Sequence, residues 1–179
     1  MTEVLQIEKA RLELATRRGF RNWKSEFRED FSGSTRLSDI SERTLCQLAL
    51  GKDKSTFYLF DLIMNLRNLK SGFEFSGLGP QDKMSVMDQY LFLLDRIRFE
   101  YMKRAGWLEA YPGEELPVVD LVVQYEQLGQ RLQRATPLLS RNHAAYPEFR
   151  KMNAFEREEF IRKLIPKALK EIEDQSVTL

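Results

Sequence analysis

The chain has little of what most catalytic sites are built from. Its 179 residues include one cysteine, Cys46, and one histidine, His143. A single cysteine excludes an intrachain disulfide and any Cys-x-x-Cys pair for zinc or redox work. A single histidine excludes the paired-histidine metal sets of di-iron bundles and zincins. A serine or cysteine nucleophile with a histidine base would have to run through His143, inside SRNHAAYPEF, a loop-like stretch. A solvent-facing loop histidine is the simpler expectation there.

Charge of one sign is not in surplus either. Lys and Arg number 28 against 27 Asp and Glu, for a net charge of +1. No global field therefore points to nucleic acid or membrane. No stretch nears the roughly 18 apolar residues of a membrane span. The opening, MTEVLQIEKARLEL, carries acids and no continuous apolar core, so it is not expected to be a signal peptide. A soluble cytoplasmic protein without metal or cofactor is the expectation.

What the chain does have is helical spacing, nearly throughout. It predicts helices at about 2–18, 20–31, 39–50, 55–70, 81–105, 118–134 and 154–174. Punctuation fits these bounds. Asp39 and Glu42 resemble a capping box, and Gly51 and Gly106 sit where helices should stop. Ser55 is placed to cap the fourth helix and Gly72 to end it. Pro80 and Pro117 are placed to open helices, and Pro166 is expected to kink or divide the last one. The long loops 71–80 and 135–153 hold enough apolar residues to fold back on the body. The fold expected is all-α, a single domain over 1–179 with six to seven helices. Helices 55–70 and 81–105 should form a central antiparallel hydrophobic pair.

Three patterns carry functional candidates. In GFRNWKSEFREDF, Phe20, Trp23, Phe27 and Phe31 recur at helical spacing beside a basic row of Arg17, Arg21, Lys24 and Arg28. Four large rings left in water would make an unusual apolar patch. Core is therefore the leading reading, with a protein interface over Phe20, Trp23, Phe27, Phe31, Arg21, Lys24 and Arg28 as the functional one. Base stacking on the rings, with phosphates on the basic row, is the weaker nucleic-acid alternative.

The second pattern is FYLFDLIMNLRN, apolar almost all round except for a strip of Asp61, Asn65 and Asn68. That strip can be a solvent edge, a buried network, or the polar side of a small-molecule pocket. On the next helix Arg98 falls on the apolar face and Arg96 projects away from it. A buried Arg98 needs a carboxylate, so Asp61 and Arg98 are expected to meet between the helices. The ligand-binding candidates are thus Asp61, Asn65, Asn68 and Arg98.

The third pattern is GLGP at 77–80, running into a helix start that could hold an anion. It lacks the lysine and hydroxyl of a P-loop, and a tight turn is the simpler reading. Charge is also segregated: 109–127 is acidic and 134–170 mostly basic.

No catalytic constellation emerges from any of this. The expected function is contact, as a homodimer or adaptor, with a protein or a second copy as partner. A helical small-molecule sensor or carrier is the alternative.

Overall fold

The computed structural model describes residues 2–177 and shows an all-α protein. Its helices are α1 (Thr2–Gly19), α2 (Arg21–Phe27), α3 (Glu42–Leu50), α4 (Asp53–Leu66) and α5 (Pro80–Arg104), followed by α6 (Val118–Val123), α7 (Tyr125–Arg134), α8 (Tyr146–Phe149) and α9 (Ala154–Val177). Short 3-10 turns lie at Leu37–Asp39 and Gly72–Gly77. Two small strands, β1 (Leu108–Ala110) and β2 (Leu138–Leu139), pair antiparallel with Leu108 opposite Leu139. Among the described residues no helix is long and apolar enough to cross a membrane.

The central pair is α4 and α5. Gly51, just before α4, lies beside Tyr90, Leu94 and Arg98, while Phe60 further along α4 stacks on Tyr90 at 4.6 Å. Thr56 and Tyr90 place their hydroxyls 3.3 Å apart. The two helices therefore run antiparallel. Leu59, Leu62, Ile63 and Met64 on α4 are fully buried, as are Val86, Ile97 and Met102 on α5.

α5 is enclosed on more than the one face its spacing suggests. Phe92, Phe99, Gln89, Arg96 and Glu100 are all buried as well. Phe92 meets Tyr125 and Phe99 meets Tyr111, so α6, α7 and β1 cover that second face. Arg96, expected to project outward, is only 3% exposed, whereas Arg98 is partly exposed.

Helix ends follow local chemistry. Ser41 caps α3 by accepting the Thr44 amide, and Gly51 closes it in the left-handed region at φ 62°. α3 thus starts three residues after Asp39, which instead accepts the Arg36 amide at 2.9 Å. Ser55 does not cap α4; its hydroxyl donates to Gln47 O. α4 also stops short of Gly72. Asn68 adopts φ 57°, and the Leu69 amide reaches back to Met64 O at 2.9 Å, a left-handed C-terminal cap that asparagine tolerates. α9 continues through Pro166, which stays on the exposed side and does not divide it. The spacing at 118–134, read as one helix, breaks at Gln124 into α6 and α7.

Candidate functional site

Asp61 lies on the buried side of α4, 1% exposed. Its carboxylate oxygens accept from Asn22 Nδ2 at 3.0 Å, Asn65 Nδ2 at 3.1 Å and the Gly72 amide at 2.8 Å. Asn65 also donates to Asp61 O at 2.7 Å, so both its amide hydrogens are committed. A buried carboxylate is tolerated when several N–H groups converge on it. Here those groups come from α2, from α4 and from the loop after α4. The backbone can come that close because residue 72 is glycine: a Cβ there would sit 3.1 Å from Asp61 Cα and N. Asp61 is the knot of a closed network.

The other members of the predicted strip separate. Asn68 is exposed at the helix cap, one turn beyond the network. Arg98 does not reach Asp61; its Nε donates to Ala49 O at 3.0 Å, near the end of α3. A cation at a helix C-terminus satisfies an orphan carbonyl there. Burial lowers the Arg98 pKa from its usual value, with Asp95 opposing. The expected Asp61–Arg98 pair is therefore replaced by two separate solutions.

The aromatic face turns inward. Phe20 and Trp23 are 0% exposed and Phe31 is 3% exposed. Phe20 stacks on Phe31 at 5.4 Å, and Trp23 meets both rings edge-on while donating its Nε1 to Tyr58 O. Phe31 is not on the helix at all. α2 ends at Phe27, Arg28 takes φ 54°, and the chain turns back to deliver Phe31 to the same cluster. Phe27 is half-buried against Tyr58. Phe20, Trp23 and Phe31 thus belong to this chain's own core and are not available as an interface, while Phe27 keeps a partly exposed edge. Arg17, Arg21, Lys24 and Arg28 stay exposed, but without a stacking platform the nucleic-acid reading loses half its basis.

Sequence reasoning missed a polar cluster on the second face of α5. Tyr111 donates its hydroxyl to Glu100 Oε2 at 2.7 Å, and Arg104 Nε donates to Glu100 Oε1 at 3.1 Å. Arg104 also reaches Leu37 O and Ile40 O. Burial, then the Glu100 carboxylate, raises the Tyr111 hydroxyl far above its usual range, so it remains a donor. Arg96 is held between Phe92 and Phe99, 4.8 and 5.1 Å from their centroids, and donates to Pro112 O at 2.6 Å. Burial pushes its pKa down to about 10. The i, i+4 spacing of Glu100 and Arg104 was the available signal. The burial of that face was not.

His143 Nδ1 accepts the Ala145 amide at 3.0 Å, stapling its own turn, with the ring edge-on to Phe160. Gly79 precedes α5, but Asp82 occupies that helix's first turn and disfavours an anion. Cys46 lines a groove of about 690 Å³ with Leu50 and Ile172, and burial raises its thiol pKa. A thiol kept protonated is a poor nucleophile. Among the described residues, no three His, Cys, Asp or Glu side chains are grouped to hold a metal ion.

A second cleft, of about 440 Å³, opens where α1 passes the end of α4. Arg11, Leu14, Ala15 and Arg18 line it from α1; across from them are Asn65, Asn68 and Lys70. Among the described residues nothing acidic lines it. No family model, no curated protein and no solved structure matches this chain.

Proposed function

We propose that this protein works by contact in the cytoplasm, as a homodimer or an adaptor, and that the free part of α1 is its contact element. One observation carries the reading: Val4, Leu5 and Ile7 are 59%, 63% and 53% exposed on a helix that packs only at its far end. Ala15, Thr16 and Gly19 are buried, and Gly19 lets α1 approach Leu62 of α4 closely. Residues 2–14 are exposed throughout.

The direction of α1 explains this. Gly19 lies at Leu62, whereas Arg11 shares the cleft with Lys70, so α1 runs antiparallel to α4 and its start projects past α4's end. About ten residues at 1.5 Å each give an overhang of about 15 Å. An isolated helix of that length is marginal in water, and its apolar side chains gain most by covering a partner. Val4 and Ile7 share one side of the helix and Leu5 lies with Leu12 on an adjoining one, a broad apolar face that suits helix-in-groove recognition.

Sedimentation velocity over a range of concentrations tests the homodimer, with Leu5→Glu/Ile7→Glu as the variant. The expected result is concentration-dependent association in the wild type that the variant abolishes without loss of helicity or melting temperature. Association unaffected by the variant would place the contact elsewhere. A wild type that stays monomeric leaves the adaptor form. That form requires amide protection over 2–12 in the presence of a purified partner.

A further inference from the structure

We infer that the cleft between α1 and the end of α4 binds a phosphate-type oxyanion. This is independent of the contact reading, because the cleft begins where the overhang ends.

The first ground is charge without compensation. Arg11, Arg18 and Lys70 converge on one cleft, and among the described residues none has an ion-pair or hydrogen-bond partner. Lys52, Lys103, Arg104, Arg141 and Arg162 pair with carboxylates, and what sets Arg11, Arg18 and Lys70 apart from the remaining unpaired cations is that all three line one cleft with no described acid beside them. The carboxylate nearest in sequence across the cleft, Asp61, is already satisfied by three N–H donors behind Asn65. Three like charges facing one space repel unless an anion enters it.

The second ground is geometry. Arg11 and Arg18 are seven residues apart on α1, so they stand about 10 Å apart along one helix face. Leu14 and Ala15 lie between them as an apolar floor. The opposite wall is fixed by the cap of α4, with Asn68 and Lys70 both left-handed at φ 57° and 68°. A lysine rarely adopts that conformation, and strain of this kind persists where surrounding structure holds it. It sets Lys70 on the cleft instead of letting the chain continue helically away from it.

Guanidinium groups present a fork of donors matched to phosphate oxygens, and an ammonium adds a point charge. Asn65 has no side-chain hydrogens left to give, and the Asn68 backbone N–H donates to Asn65 O, so Arg11, Arg18, Lys70 and the Asn68 side-chain amide are the donors. The cleft volume of about 440 Å³ falls within the range of small-molecule sites, roughly 300–1,000 Å³. It admits a phosphorylated molecule with a compact organic part, or the headgroup of an anionic lipid.

Pyrophosphate titrated into the full chain, followed by amide chemical shifts and melting temperature against sodium chloride at matched ionic strength, tests the site. The expected result is saturable shifts at Arg11, Arg18, Asn68 and Lys70, with a rise in melting temperature. Arg11→Gln/Arg18→Gln should weaken binding by about tenfold or more, since it removes two charge-assisted donors from exposed, solvent-screened positions. Arg17→Gln/Arg21→Gln removes the same charge outside the cleft and should leave binding in place. Equal loss in both double variants, or no response beyond chloride, would overturn the inference. Cosedimentation with phosphatidylcholine vesicles, with and without phosphatidic acid, separates the sources. Retention that pyrophosphate displaces identifies a lipid headgroup, and pyrophosphate binding without retention identifies a soluble ligand.

Discussion

Asn22 Nδ2 donates to Asp61 Oδ2 at 3.0 Å, tying α2 to α4 across 39 positions of chain. This bond shows why a carboxylate sits inside the most apolar helix of the protein. It holds the aromatic corner built by Phe20 and Trp23 against α4, while the other oxygen anchors the loop at Gly72.

Asp61→Ala should destabilise by roughly 2–4 kcal/mol, because it strands buried donors on Asn22, Asn65 and Gly72. Asp61→Asn should also be harmful, since two amide nitrogens would then face each other. Exchanging the pair, Asn22→Asp with Asp61→Asn, restores a donor and acceptor and should recover part of the loss. Urea midpoints of the three variants check this. Arg98→Leu added to Asp61→Ala should give a plain sum of the single effects, because the two side chains share no partner.

Gly72→Ala should cost about 1–3 kcal/mol through crowding alone. The new methyl would sit 3.0 Å from the Phe57 ring and 3.1 Å from Asp61 backbone atoms. Equilibrium unfolding that leaves Gly72→Ala as stable as the wild type would show that the loop can retreat without losing the Asp61 bond.

Arg96 should be more replaceable by shape than by truncation. Among the described residues this buried cation has no carboxylate bonded to it, and its Nε has no partner. A well-packed apolar residue often substitutes for such a charge at little cost, so Arg96→Met should stay within about 1 kcal/mol of wild type. Arg96→Ala leaves a hole between Phe92 and Phe99 and should lose about 2–4 kcal/mol. Similar melting temperatures for the two variants would mean that packing against those rings contributes little.

Acid stability should depend on Glu29. Partial burial raises its carboxyl, but hydrogen bonds from Ser41 and Thr44 outweigh this and hold it below the ordinary 4.5. A depressed native pKa gives stability that is present above 4.5 and lost as pH falls through the native value. Melting temperature should therefore drop more steeply below pH 4.5 in wild type than in Glu29→Gln. Parallel curves would remove Glu29 as a source of acid sensitivity.

The grain of the fold was legible in local sequence. The spacing of apolar residues required α4 to be enclosed by others and gave α5 a broad apolar face to pair with it, and Gly51 and Pro80 marked ends that the structure keeps. Burial of Phe20 and Trp23 followed from their size and period. The strip of Asp61, Asn65 and Asn68 was visible, but its partners were not. Asn22 and Gly72 lie far along the chain, and an amide hydrogen bond leaves no periodic trace. Asn68 looked like part of the strip because it shares an angle on a projected helix that ends before reaching it.

Sequence alone therefore determined class and the central pair, and favoured burial of Phe20 and Trp23, because helical period and apolar transfer act through neighbours one turn away. Tertiary structure decided where charges go. Whether Arg96 or Arg98 is buried depends on how many faces of α5 are covered, and α6, α7 and β1 supply that cover from later in the chain. The convergence of Arg11 and Arg18 with Lys70 arises only when α1 crosses the end of α4, since electrostatic partners are set by distance in space.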